Sequence, residues 1–126
     1  MEIIYKPIGI AHTPFKDKAP YQYFVSDAVA KIEIFPEYEE GLEGIENFSM
    51  LLIIFHFHKS KDKPLKVKPR LYNEIRGVFA TRSPARPNAI GVSEVKLIRR
   101  VGRILYVKGV DMLDGTPILD IKPKKE

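Results

Sequence analysis

The sequence predicts an all-β protein, a barrel or a sandwich, on three observations. About seven short runs either alternate between apolar and polar residues or are rich in Val, Ile and Phe. Ten prolines and eight glycines supply turn signals along the 126-residue chain. No stretch keeps the 3.6-residue period of a long amphipathic helix. Short strands with frequent turns pack as barrels or sandwiches, and a chain of this length forms one domain, residues 1–126.

The strands are predicted at residues 3–10, 29–35, 48–58, 65–67, 95–98, 104–107 and 118–121. Pro7 confines the first to an edge or a strand start. The third, FSMLLIIFHFH, is the most apolar stretch and is predicted to be buried on both faces. Residues 37–46 contain five glutamates and predict one or two short helical turns. Gly102 and Gly115 mark a hairpin turn and a longer turn.

The charge pattern allows an anionic partner. The net charge is +5 and the pI about 9.4, which suits nucleic acid or, alternatively, a lysine-rich surface on a heat-adapted protein. The absence of cysteine excludes disulfides and thiolate ligands, so a cytoplasmic location is the default. No run approaches the roughly 20 apolar residues that span a bilayer, and the N-terminus lacks the features of a signal peptide. No membrane association is predicted.

Residues 77–93, GVFATRSPARPNAIGVS, predict a strand end at 78–80, a stiff loop, and a strand that resumes near Ile90. The two prolines of the loop fix φ and restrict the residues before them. Arg82, Arg86 and the amide of Asn88 suit a polyanion or a polar small molecule. A rigid surface loop with solvated arginines fits these residue types equally well.

Two histidines follow the most apolar run. His56 and His58 are two residues apart, so on a strand they share one face. An H-x-H pair can ligate zinc, but no third ligand is evident, and strand-end histidines with satisfied hydrogen bonds are the favoured interpretation. No metal site is predicted. The run breaks at His58, which places this residue where it can point into a site.

Longer motifs closely resemble the TsaA-like family, the TrmO-type tRNA methyltransferases, in their short form without a further C-terminal domain. These are, in chain order, Ile8-Gly9, Thr13-Pro14-Phe15-Lys16, Phe57-His58, GVFATRSP at 77–84, Arg86-Pro87-Asn88, Ile90-Gly91, and DMLDGTPILDIKP at 111–123. The resemblance covers nearly the whole chain. It implies a small β-barrel of about seven short strands that binds S-adenosyl-L-methionine. It also implies methylation of N6 of threonylcarbamoyl-modified adenosine at tRNA position 37, by a homodimer with the cofactor near the subunit interface.

The resemblance also implies a set of site residues. The cofactor contacts would be Pro20, Tyr21, Gln22, His58, Lys59, Arg82, Val92, Asp111, Met112, Leu113, Asp114 and Gly115. The candidate catalytic bases are His58 and Asp114, and nothing in the sequence chooses between them. The candidate RNA contacts are Lys61, Lys63, Arg86 and Asn88. The backbone at Gly91 and Gly115 is expected to approach the ligand closely, and Asp114 is expected to face the site.

The chain departs from the family pattern at three positions. Tyr21 stands where the family usually has arginine, Ala89 where it has proline, and Met50 where it has histidine. A second class of function therefore stays open, a non-catalytic RNA-binding barrel. Its phosphate contacts would be Lys59, Lys61, Lys63, Lys66, Lys68, Arg70, Arg82 and Arg86.

Overall fold

The protein folds as a closed six-stranded antiparallel β-barrel, which confirms the predicted all-β class. The computed structural model describes residues 1–20, 26–69 and 72–125. The strands are β1 Gly9–His12, β2 Val29–Ile34, β3 Met50–His56, β4 Lys66–Val67, β5 Arg76–Gly77, β6 Ile90–Val101, β7 Ile104–Lys108 and β8 Pro117–Pro123. The barrel order is β1-β2-β7-β6-β3-β8, with β8 returning to pair with β1, and β4 and β5 form a separate ribbon. The assignment of residues 1–126 to one domain stays a prediction.

The barrel core follows from the alternation of side chains along each strand. On β3, Leu51, Ile53 and Phe55 are at most 1% exposed, while the intervening residues are half-buried. The same alternation on the other strands completes a continuous interior of aliphatic side chains, among them Ala11, Ala30, Ile32, Ile34, Val95, Leu105, Val107 and Ile118. Branched side chains suit the pleated inner surface of a small barrel.

In the part of the chain that the structure describes, three 3₁₀ helices connect the strands: Pro36–Leu42, Ile45–Asn47 and Val78–Ala80. The first two confirm the helical turns predicted for the glutamate-rich segment. The third corrects the predicted strand end at residues 78–80. The backbone N–H and the hydroxyl of Thr81 both donate to the carbonyl oxygen of Val78, at 3.0 and 2.7 Å, and these bonds turn the chain there.

The first strand begins later than predicted, at Gly9. Ile3, Ile4 and Tyr5 are exposed, and Pro7 lacks a backbone N–H for a strand ladder. The backbone N–H of Ile8 donates to the carbonyl of Ile118, the first link between this segment and the sheet. By contrast, β6 begins at Ile90 as predicted but runs for 12 residues, well beyond the predicted 95–98.

The apolar run 48–58 differs from its prediction in two ways. Only one face of β3 is fully buried, because Leu52 and Ile54 lie half-buried on the outer wall. The strand also ends at His56, so His58 lies in the following turn and the two-residue strand period does not extend to it. The predicted turns at Gly102 and Gly115 are confirmed, with positive φ of 60° and 82°. No helix in the described residues is long and apolar enough to cross a membrane.

Candidate functional site

A cavity of about 470 Å³ opens at the barrel end where β3 finishes and β6 begins. Four segments enclose it: the loop after β1, the turn after β3, the loop before β6, and the turn before β8. Its lining comprises Asp17, Lys18, Ala19, Pro20, Phe55, Phe57, His58, Lys59, Ser60, Arg82, Ser83, Pro84, Ala85, Asp111, Met112, Leu113 and Thr116. The volume lies within the range of small-molecule sites.

The loop before β6 is held by its own hydrogen bonds. The Arg86 guanidinium donates to the carbonyl oxygens of Thr81 and Ser83, at 3.0 and 3.1 Å. The Ser60 hydroxyl donates to the carbonyl of Pro84 at 2.9 Å and ties this loop to the turn after β3. Arg82 lies on the cavity wall, whereas Arg86 is half-buried within the loop. Arg82, predicted as a cofactor contact, thus lies on the cavity wall, whereas Arg86, predicted as an RNA contact, is bonded within its own loop.

An aromatic pair forms one side of the cavity. The rings of Phe55 and Phe57 meet edge to face, with centroids 5.0 Å apart. A Cβ on Gly91 would lie 2.5 to 2.8 Å from these rings. The missing side chain at Gly91 thus admits the aromatic pair, and close approach of its backbone to a ligand stays a prediction.

Asp111 is the half-buried carboxylate of the cavity. Ser93, which is 2% exposed on β6, donates its hydroxyl to the Asp111 carboxylate. Burial raises the pKa of Asp111, while the Ser93 hydrogen bond and the nearby positive charge of Arg82 act in the opposite direction. The cavity therefore holds a carboxylate and a guanidinium close enough to influence each other.

Asp114, three residues further on, has a different environment. It accepts hydrogen bonds from the backbone N–H of Thr13 at 2.9 Å and from the Lys16 ammonium at 2.8 Å. These two bonds lower the pKa of Asp114. Asp114 and Gly115 are absent from the cavity lining, and the Gly115 N–H donates to the carbonyl of Ala11 at 2.8 Å. Asp114 fastens the loop after β1, and Gly115 fastens β1 itself, to the turn before β8.

His58 and Lys59 follow one another on the cavity wall. Burial, then the charges of Lys59 and His56, lower the pKa of His58. A lowered pKa leaves the imidazole neutral near pH 7, where one ring nitrogen can accept a proton. Of the two candidate bases, His58 is the one that lines the cavity.

The remaining predicted residues divide by location. The cavity brings together seven of them, namely Pro20, His58, Lys59, Arg82, Asp111, Met112 and Leu113. Val92 pairs with Ile54 and lies on the outer wall between the buried Gly91 and Ser93. Lys61, Lys63 and Asn88 are exposed and line no part of the cavity. The predictions for Tyr21, Gln22 and Arg70 lie outside the described residues.

Sequence reasoning missed the aromatic pair of the cavity and the hydrogen-bond partner of Asp111. Phe55 and Phe57 had been assigned only to a buried strand, although Phe57 precedes His58 in a family-like motif. Ser93 lies 18 residues from Asp111 in the chain, and only the barrel brings the two together. Over residues 1–20, 26–69 and 72–125, no three His, Cys, Asp or Glu side chains are grouped so as to hold a metal ion.

Comparison with known proteins identifies the family. Residues 10–125 match the family described as tRNA-methyltransferase O N-terminal domain. The chain belongs to this family. This confirms the resemblance drawn from the sequence motifs.

Individual similar proteins are consistent with membership of this tRNA-methyltransferase O family. A Pyrococcus abyssi protein named a probable S-adenosyl-L-methionine-binding protein is 53% identical over 124 residues. The tRNA (adenine(37)-N6)-methyltransferase of Mus musculus is 45% identical over 131 residues. The crystal structure of TrmO from Pseudomonas aeruginosa superposes with a TM-score of 0.80 at 35% identity.

These matches cover nearly all of this chain but varying shares of the relatives. The alignments span 96% of the chain for both the archaeal and the mouse protein, and 99% for the crystal structure. They span 67% of the Pyrococcus protein, 57% of the crystallised chain and 30% of the mouse enzyme. The barrel is therefore the part of these proteins that is shared.

Proposed function

We propose that the protein is an S-adenosyl-L-methionine-dependent methyltransferase that acts on N6 of threonylcarbamoyl-modified adenosine at position 37 of tRNA. The observation that carries the proposal is the cavity at the barrel end, which joins Arg82, Lys59, Asp111 and His58 beside an aromatic pair. These residues come from motifs typical of the tRNA-methyltransferase O family, to which the chain belongs. Relatives named for this cofactor and for this tRNA position support the assignment.

The cavity residues fit the chemical groups of the cofactor. S-adenosylmethionine carries a carboxylate, an ammonium, a ribose and an adenine beside its sulfonium. Arg82 or Lys59 suits the carboxylate as a charge-assisted donor. Asp111 suits the ammonium or the ribose hydroxyls, because a half-buried carboxylate is a strong acceptor. Phe57, Met112 and Leu113 offer apolar surface for the adenine ring. One molecule of S-adenosylmethionine would thus pair with both the positive and the negative side chains of the cavity.

The chemistry requires alignment and one proton acceptor. When bound, the cofactor supplies a methyl group on a positive sulfur, so the new bond joins that carbon to N6 as the carbon–sulfur bond breaks. In-line displacement depends mainly on the positioning of donor and acceptor. We assign the departing N6 proton to neutral His58, since Asp114 is engaged by Thr13 and Lys16. A tRNA-modifying enzyme of this kind would work in the cytoplasm.

RNA contacts close to the cavity are proposed for Lys61, Lys63 and Asn88. The exposed Lys61 directly follows the cavity residues Lys59 and Ser60, and the exposed Lys63 lies two residues further along the chain. They therefore lie close enough to the cavity mouth to contact the phosphates that flank the modified nucleotide.

The outer wall at β3 and β6 supports a homodimer. Leu52 and Ile54 lie there half-buried beside Val92, and Ile90 is 41% exposed. A second copy that covers this apolar wall would bury the second face of β3. It would also place Val92 at the subunit interface, where a cofactor contact is expected. Sedimentation should then give a dimer at micromolar protein, and a monomer would count against this assembly.

The test is mass spectrometry of nucleosides from tRNA incubated with the protein and methyl-labelled cofactor. Label on N6 of threonylcarbamoyladenosine is the expected result, and tRNA lacking that prior modification is the matched control substrate.

A thermal melting experiment distinguishes the methyltransferase from the alternative, a non-catalytic RNA-binding barrel. A cofactor that binds only the native state must raise the melting temperature, so no shift at saturating S-adenosylmethionine would favour the alternative.

A further inference from the structure

A cluster of cations and one tyrosine covers the outer wall formed by β2, β7 and β6. We call it the basic wall and define it as Lys31, Lys96, Arg99, Tyr106 and Lys108. The Arg99 guanidinium lies 4.6 Å and the Lys31 ammonium 5.7 Å from the centroid of the Tyr106 ring. Strand pairing explains the arrangement, because Lys31 and Arg99 lie opposite Tyr106 on its two neighbouring strands. The wall is separate from the cavity lining.

A β-bulge puts Arg99 in this position. Lys96 pairs with Lys108 and Leu97 with Val107, but the next pair joins Arg99 to Tyr106, so Ile98 is an extra residue. Regular pairing would set an isoleucine opposite the tyrosine. A bulge re-aims side chains and is typical of functional positions in sheets. Here it replaces an apolar neighbour of Tyr106 with a guanidinium.

The wall also carries a like-charge pair that does not favour folding. Lys96 and Lys108 lie directly opposite each other on β6 and β7, an arrangement that destabilises a sheet. Lys108 has one salt-bridge partner in the described residues, the highly exposed carboxylate of Asp27 at 3.9 Å. Within the described residues, no carboxylate forms a salt bridge with Lys31, Lys96 or Arg99.

Cations elsewhere on the barrel contrast with this wall. Arg100 pairs with Glu46, Arg103 with Glu33, and Lys124 with Glu94. Across the described part of the chain, Lys31, Lys96 and Arg99 therefore keep positive charge that no salt bridge neutralises, while Lys108 pairs only with the exposed Asp27. Such a surface suits an extended polyanion, whose phosphates bind lysine and arginine with release of counterions.

We propose that the basic wall docks the phosphate backbone of the tRNA whose anticodon loop reaches the cavity. The wall leads to the cavity, since Lys108 ends β7 only three residues before Asp111. This docking surface rests on the proposed function for the identity of the RNA. It is distinct from the contacts proposed for Lys61, Lys63 and Asn88, which lie on loops at the cavity mouth.

The test compares two double variants with the same net charge. Lys96→Gln/Lys108→Gln removes two cations of the wall. Lys6→Gln/Lys125→Gln removes two exposed lysines that flank β1 and β8, neither of which pairs with β7. Binding of fluorescent tRNA is titrated at several salt concentrations, without cofactor. The wall variant should bind about tenfold more weakly than the control variant, and its log–log salt slope should be smaller by about 1.5.

Calorimetry with S-adenosylmethionine should give the same affinity for both double variants. Equal tRNA affinity and equal salt slope in the two variants would overturn the proposal. An acidic protein would then be the alternative partner for the basic wall. Absence of tRNA binding by the unmodified protein at low salt would overturn it as well. Loss of tRNA binding in the wall variant alone supports it even if no methylated nucleoside forms, so this result is independent of the test of the enzymatic activity.

Discussion

The loop at residues 81–89 and the turn at residues 111–116 each contain two identical charged residues with different surroundings. In the loop, Arg82 lies on the cavity wall while Arg86 donates to two carbonyls of the loop itself. In the turn, Asp111 lies in the cavity while Asp114 accepts from Thr13 and Lys16. Membership of a family-like motif thus does not assign a side chain to the ligand, because Arg86 and Asp114 hold the backbone of their own segments in place.

The two members of each pair also differ in whether they are expected to contribute to ligand binding or to folding stability. A charge held in a cavity is kept at some cost to folding, whereas a charge that satisfies backbone groups adds to folding. The pKa directions agree with this division, since burial raises the pKa of Asp111 and hydrogen bonds lower that of Asp114. Four variants, taken from the largest expected effect to the smallest, test the division.

Arg82→Ala should weaken S-adenosylmethionine binding by about 10- to 100-fold, the usual loss for a charge-assisted hydrogen bond. The free energy of unfolding should change little, because Arg82 is exposed at the cavity wall. Calorimetry and thermal unfolding measure the two quantities. Arg82→Lys keeps the charge, so its cofactor affinity should lie between those of the unmodified protein and Arg82→Ala. Unchanged cofactor affinity in Arg82→Ala would show that this arginine does not contact the cofactor.

Asp111→Asn should lower cofactor affinity about tenfold and at the same time raise the melting temperature at neutral pH. The amide oxygen can still accept from Ser93, while the cost of burying a charge disappears. The raised pKa gives the sign: protonation of Asp111 favours folding below the ordinary carboxyl pKa, and this contribution is lost as pH rises through the raised value. A lower melting temperature at neutral pH would contradict this account.

Arg86→Ala should destabilise the protein by about 1–2 kcal/mol, because the carbonyls of Thr81 and Ser83 lose a charged donor. Denaturant unfolding measures the loss, and Arg86→Lys is the control that keeps one donor. The sequence analysis named Arg86 as an RNA contact, and for such a contact this variant would reduce the tRNA salt slope by about one. From the structure we expect the slope to stay the same, and a reduced slope at unchanged stability would restore the RNA contact.

Asp114→Ala should cost about 1 kcal/mol of stability through the lost acceptor for the Thr13 N–H. The sequence analysis named Asp114 as a cofactor contact, and for such a contact the variant would affect cofactor affinity more than folding. Since the pKa of Asp114 is lowered, its contribution is present above about pH 4 and is lost as pH falls through the lowered value. Unfolding at several pH values should therefore show the variant and the unmodified protein converging in acid. Normal stability with weakened cofactor binding would instead assign Asp114 to the site.

The sequence by itself determined the fold class, several turns and the family. The alternation of Ala30, Ile32 and Ile34 is local, and so are the glycines at 102 and 115 that adopt positive φ. Such patterns can be read from the sequence because each residue type reflects the backbone geometry at its own position. The motif residues of the cavity were implied instead by the resemblance to the family, which contiguous runs such as the segment 111–117 carry.

Only the tertiary structure decided which member of each motif reaches the cavity. The Ser93–Asp111 bond joins residues 18 apart, and the link from Thr13 to Asp114 joins residues 101 apart. The bulge at Ile98 likewise becomes visible only when β6 is paired with β7. Such contacts depend on how the strands close into a barrel. Barrel closure brings together residues far apart in the chain, and the sequence around one of them does not indicate the other.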